Sequence, residues 1–123
     1  MEALYREKLL EDFESPVLRD IVSDIANVRV VEADAMHLDW NEVLGHDTGW
    51  VLVANLPYNV ATPLVCDLLD GVPQIERMLV MVQKEVAERF CAAPRTEAYG
   101  AVSVKVAYWA TSRIAGTVPA SVF

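Results

Sequence analysis

A short apolar run closed by a proline-locked turn constrains this chain more than any other feature. Val51-Leu52-Val53-Ala54 leads directly into Asn55-Leu56-Pro57-Tyr58. The β-branched run reads as a buried strand. Thr62-Pro63 offers an N-cap and a first-position proline, so a helix is expected from there to about Gly71. The tetrapeptide therefore sits at the carboxyl end of a strand, which is where open α/β sheets bind their ligands. Pro57 fixes its own φ and biases Leu56 toward an extended conformation, keeping the Leu56 carbonyl out of any helix. The Asn55 amide offers an acceptor and two donors, and the Tyr58 ring offers a stacking face. Together these groups suit a planar exocyclic amine.

The rest of the chain alternates in the same way. Residues 3–24 carry Leu4, Leu9, Phe13, Leu18 and Ile21 at roughly helical spacing, continued by Ile25. A helix is expected there, interrupted at Ser15-Pro16, where Ser15 can cap a second helix. Residues 27–31 read as a strand, 33–40 as a loop, and Trp40 to Leu44 as a helical turn. A turn covers Gly45 to Gly49, and the Trp50 to Ala54 strand follows. A third strand is expected over 77–82 and a helix over 84–92, then a polar loop to Gly100. Val102, Val104, Val106 and Tyr108 alternate with a strand's period. This β-α-β order argues for a mostly parallel sheet with flanking helices, an α/β fold.

Composition narrows the class. With 123 residues the chain is one domain or part of one. Its 54% hydrophobic content suits the near-continuous apolar strands of a parallel sheet. A net charge of −8 argues against a basic nucleic-acid surface within this stretch. Cys66 and Cys91 lie in apolar stretches without metal-ligand spacing, and read as buried thiols in a reducing cytoplasm. No apolar run reaches membrane-spanning length, and the acidic start does not resemble a signal peptide. His37 and His46 have no triad or metal-spaced companions in sequence. Arg95 and Arg113 read as solvated surface.

Four ordered segments carry a resemblance. They are Val30-Val-Glu-Ala-Asp34-Ala35-Met36, the Asn55-Leu-Pro-Tyr58 block, Met81-Val-Gln-Lys-Glu-Val-Ala-Glu-Arg89, and Val118-Pro-Ala-Ser-Val-Phe123. In this order they resemble the S-adenosylmethionine-dependent rRNA adenine N6,N6-dimethyltransferases. That family methylates two adjacent adenines near the 3′ end of small-subunit rRNA. The resemblance implies a partial Rossmann-like methyltransferase fold, with the whole chain in one truncated catalytic domain. It also implies a helix over the Val102–Tyr108 stretch, in place of the strand that the period suggests, and a strand near 113–118.

Roles follow from the resemblance alone. Asp34 would accept from the amino group of the cofactor's adenine, with the backbone at Ala35 reading the ring. Asn55 and the Leu56 carbonyl would accept from the two N–H groups of the target adenine. Pro57 would lock that turn, and Asn55 would also border the cofactor. Tyr58 would stack on the base, worth roughly 1–3 kcal/mol, and Phe123 would be the second aromatic on its other face. The implied cofactor is S-adenosylmethionine, and the implied partner is small-subunit rRNA in an immature subunit, with no membrane. The target base must leave its stack to reach such a pocket.

The family opens with a glycine-rich cofactor loop and closes with a small helical domain. The five glycines here are dispersed, so no G-x-G loop exists in this chain. The chain reads as a central piece of such an enzyme, inactive alone, with a sheet edge beside Val28–Val31 left to self-associate or to be covered by a rearranged N-terminal helix. Strands at Val28, Trp50 and Arg77 are expected in one parallel sheet. Two alternatives stand beside this reading. One is an amino-methyltransferase of DNA adenine, although such enzymes more often carry Pro-Pro after the Asp or Asn. The other is a non-catalytic RNA-binding relative that assists ribosome assembly.

Overall fold

The structure, a computed structural model, describes residues 3–7 and 14–122. The chain forms two compact units, Met1–Asp39 and Trp40–Phe123.

The first unit is a β-α-β element. Strand β1 (Ala3–Glu7) lies parallel to β2 (Val28–Glu32), with Ala3 opposite Val28 and Glu7 opposite Glu32. Helix α1 (Glu14–Val22) joins them. Two expectations change here. The stretch holding Leu4 is a strand rather than a helix, because a parallel partner far along the chain satisfies its backbone. β2, whose edge was expected to stand open or under a helix, has β1 paired along one of its two edges. Ser15 and Pro16 fall inside the first turn of α1 rather than ahead of it. Of the expected apolar stripe, Leu9 and Phe13 lie outside the described residues, and Ile21 and Ile25 are exposed.

The second unit opens with the short helix α2 (Trp40–Leu44). A turn follows in which Gly45 and Gly49 take φ of 68° and 81°, a region that disfavours side chains. Strand β3 (Trp50–Asn55), helix α3 (Tyr58–Gly71) and strand β4 (Ile75–Met81) then form a second β-α-β element. β3 and β4 are parallel, with Asn55 opposite Met81 and a register shift between Trp50 and Val51. Helices α4 (Lys84–Phe90) and α5 (Ala101–Trp109) complete the unit, with a short 3-10 turn at Ala120–Val122.

Strands β1–β2 and β3–β4 are two separate hydrogen-bonded pairs, so the three strands expected in one sheet are not joined by a common ladder. α5 is helical, as the resemblance implied and the period did not. No strand forms over 113–118; residues 110–119 belong to no helix or sheet. An extended segment becomes a strand only when a neighbour pairs with it.

α3 is the spine of the second unit. Val60, Ala61, Leu64, Val65 and Leu68 are buried, a stripe at helical spacing. Burying side chains as large as Leu64 and Leu68 contributes about 1.5–3 kcal/mol each. α3 packs against α5, which buries Ser103 and Val106, while Phe90 of α4 is also buried. The Ser103 hydroxyl donates to the Arg89 carbonyl at 2.6 Å and accepts from the Gly100 N–H at 3.1 Å, tying α5 to α4. At the far end of α3, the Asp70 carboxylate accepts from Lys105 Nζ at 2.7 Å and from Trp109 Nε1 at 2.8 Å. β3 shows a strict alternation: Leu52 and Ala54 are half-buried, whereas Val51 and Val53 are exposed, as is Leu79 on β4. The run expected to be wholly buried is thus buried on one face. Among the described residues no helix is long and apolar enough to cross a membrane.

Candidate active site at the strand ends

The turn after β3 is held from beneath. The Leu56 N–H donates to the Met81 carbonyl at 3.0 Å, continuing the β3–β4 ladder one residue past Asn55. The Leu56 side chain is buried at 6% exposure, so the turn is nailed to the core at its second residue. Pro57 follows with φ −60° and ψ 150°, an extended geometry that suits an N-cap. Its carbonyl accepts from Val60 N at 3.1 Å and Ala61 N at 3.0 Å, which starts α3. The helix begins at Tyr58, four residues before the expected Thr62-Pro63 start, and Pro63 lies inside it. Pro63 removes only the bond that the Asn59 carbonyl would accept, in the second turn.

This arrangement buries the anchor and presents the rest. Asn55, Pro57, Tyr58 and Asn59 are exposed, Tyr58 by 71%. Asn at a strand end commonly caps the following turn. Here it does not: α3 has no side-chain cap, and the Asn55 amide makes no hydrogen bond among the described residues. The structure therefore displays an amide and an aromatic at the carboxyl end of a parallel strand, with neither spent on the fold.

The turn after β2 is built differently. Asp34 Oδ1 accepts from the Met36 N–H at 2.9 Å, and the Asp34 carbonyl accepts from the His37 N–H at 3.0 Å. Oδ2 lies 3.1 Å from His37 Nδ1. A carboxylate only accepts, so Nδ1 carries the hydrogen of this bond. The Asp34 side chain is 38% exposed, while Ala35 is buried. The His37 pairing is a contact that the sequence reading missed. Its signal was the three-residue spacing within a turn, legible only once the turn is known to close. A carboxylate fixed at a strand's carboxyl end and still open to solvent fits the amino edge of an adenine. The ribose and methionine ends of S-adenosylmethionine find no matching glycine loop in the chain.

Glu32, on β2, is exposed. Phe123 lies outside the described residues, although the 3-10 turn just before it is exposed throughout. Arg95 and Arg113 are exposed; Arg95 takes φ +69° at the third position of a turn closed by the Thr96 N–H and the Ala93 carbonyl at 3.3 Å. Burial pushes the Cys66 thiol pKa up, opposed in part by the nearby Lys105 charge. No group of His, Cys, Asp or Glu among the described residues has metal-binding geometry.

Comparison with known proteins places the chain in a family. The family model for ribosomal RNA adenine dimethylase matches residues 10–123. The "Ribosomal RNA small subunit methyltransferase A" of Clostridium perfringens (strain SM101 / Type A) is 40% identical over 108 residues, covering 88% of this chain and 38% of the relative. That of Ligilactobacillus salivarius (strain UCC118) is 44% identical over 120 residues, covering 93% and 40%. That of Geobacillus sp. (strain WCH70) is 38% identical over 112 residues, covering 88% and 38%. The chain thus spans about two fifths of the length of these relatives. Methyltransferases of this kind generally use S-adenosylmethionine. With the family model covering the second strand-end turn, the first and everything between them, the chain belongs to the ribosomal RNA adenine dimethylase family.

Proposed function

We propose that the chain forms part of one catalytic domain that transfers methyl groups from S-adenosylmethionine to adenine N6 of small-subunit rRNA, giving N6,N6-dimethyladenosine. The observation that carries this reading is the uncommitted Asn55 amide, exposed beside Tyr58 on a turn anchored by buried Leu56.

The chemistry explains why such a turn is useful. An adenine amino nitrogen is a poor nucleophile because its lone pair is delocalised into the ring. Asn55 Oδ1 and the Leu56 carbonyl accept from its two N–H groups, which favours a tetrahedral nitrogen with its lone pair directed away from the ring. Tyr58 stacks on the base and fixes its plane. The bound cofactor supplies an electrophilic methyl on a sulfonium. Transfer of that methyl to the amine would leave a surplus proton on the nitrogen, which would be released to water. No strong base is needed, so orientation and electrostatics supply most of the acceleration. Asp34 holds the adenine end of the cofactor, with Ala35 beside the ring, and Phe123 closes the second face of the target base.

The partner is rRNA in an immature small subunit. The two thiols are free and half-buried, which suits a reducing cytoplasm. Exposed Val51, Val53 and Leu79 give β3–β4 an apolar face that favours self-association of the isolated chain.

The test is Asn55→Ala in the complete gene product, assayed by methyl transfer to immature small subunits. Turnover should fall roughly 10²–10³-fold, as on deleting one preorganised polar contact to a reacting group. Affinity for S-adenosylmethionine, measured in parallel, should stay within a few-fold. Full activity would refute the amine clamp.

A further inference from the structure

The side-chain pair within the β2 turn assigns a role to a residue that the site described above does not use. Resting on the reading of Asp34 given above, we infer that His37 is a positioning residue for the cofactor, acting through the Asp34 carboxylate. A carboxylate on a single side-chain bond is free to rotate about it, and an acceptor must hold one plane to meet an amino group. Here the plane is set at both oxygens. Met36 N–H holds Oδ1 at 2.9 Å and His37 Nδ1 holds Oδ2 at 3.1 Å. The first bond is backbone and survives any substitution that keeps the turn. The second is carried by one side chain.

The bond to His37 does nothing else for the fold. Its imidazole is 83% exposed, so it fills no core. Its backbone N–H already bonds the Asp34 carbonyl at 3.0 Å, so the turn closes without the ring. What the ring adds is orientation of the carboxylate. An adenine amino group needs an acceptor held in its plane, and a fixed carboxylate oxygen supplies one. Nδ1 sits at the same distance from the backbone as the amide nitrogen of an asparagine. Asn at this position can therefore replace the bond, whereas Ala cannot.

The experiment uses the complete gene product with S-adenosylmethionine as the probe. Calorimetry gives the dissociation constant, and methyl transfer to immature small subunits gives KM for the cofactor and kcat. His37→Ala should weaken cofactor binding roughly two- to five-fold, the span of an exposed charged pair. KM should rise to match, with kcat at saturating cofactor unchanged, and His37→Asn should restore both constants. Asp34→Ala is the control for the underlying reading and should weaken binding roughly ten- to a hundred-fold. If Asp34→Ala binds weakly while His37→Ala binds normally, the role of His37 is overturned and that of Asp34 stands. If Asn fails to rescue, or if kcat falls with KM unmoved, the positioning role is likewise overturned. If Asp34→Ala binds normally, the cofactor reading of the whole turn falls.

Discussion

The turns after β2 and β3 occupy equivalent places, each at the carboxyl end of a parallel strand, yet they hold their polar residues by opposite means. Asp34 is fixed by its own neighbours, through Met36 N–H and His37 Nδ1. Asn55 is fixed by nothing polar of its own. Its position comes from Leu56, whose N–H extends the ladder to Met81 and whose side chain is buried, and from the locked φ of Pro57. The first turn satisfies its functional group in place; the second leaves the group unsatisfied and anchors the residue next to it. Neither turn uses left-handed backbone: among the described non-glycine residues only Arg95 has positive φ.

The comparison breaks first at Leu56. Leu56→Ala should cost about 2–5 kcal/mol in denaturant unfolding, the usual price of a large-to-small change in a packed core. The released turn should also lower turnover. If instead unfolding were unchanged, Asn55 would owe its position to something other than a buried anchor.

A smaller effect comes from a turn that puts a non-glycine residue in left-handed backbone. Arg95 follows Pro94 and occupies the position of a type II turn that favours Gly. Arg95→Gly should raise stability by about 1 kcal/mol, because the steric cost of a side chain at positive φ disappears. A loss of stability would mean that the Arg95 side chain makes compensating contacts.

The smallest effect lies at the end of α3 remote from Tyr58. The hydrogen bond from Lys105, then that from Trp109, holds the Asp70 carboxyl below its ordinary pKa, and the bond to Asp70 holds Lys105 above its own. A depressed acid stabilises above its unfolded-state pKa and loses that contribution as pH falls through the folded value. A raised base stabilises below its unfolded-state pKa and loses the contribution as pH rises through the folded value. Asp70→Asn should therefore lower Tm slightly at neutral pH, with the difference vanishing in strong acid. Both groups are exposed, so solvent screening keeps the effect small. A gap that persisted at the acid end would assign the clamp to packing of Trp109 rather than to charge.

The parts of this architecture that were legible in sequence are those set by local chemistry. The β-branched run before Asn55 favours a strand, and the ring of Pro57 fixes the turn that follows it. Thr62-Pro63 carries the pattern of a helix start, yet α3 begins four residues earlier because Pro57 already caps it. Val102, Val104 and Val106 alternate, yet Val102 and Val106 also share a helical face. Burial of Ser103 and Val106 against neighbouring helices decides the matter, and no local period can report it. β1 was hidden for the same reason: its partner β2 lies beyond a whole helix, and strand pairing at that range leaves no local mark. The pairing of His37 leaves no spacing signal of a triad or metal site, because its companion is a carboxylate in the same tight turn.

The central claim is that Asn55 serves a ligand and not the fold. The direct measurement is Asn55→Ala carried through denaturant unfolding and methyl transfer on the same preparation of the complete gene product. The account predicts an unfolding free energy within about 0.5 kcal/mol of the parent, as for a surface site, together with a turnover lower by roughly 10²–10³-fold. A variant that lost stability in proportion to its activity, or that kept its activity outright, would contradict it.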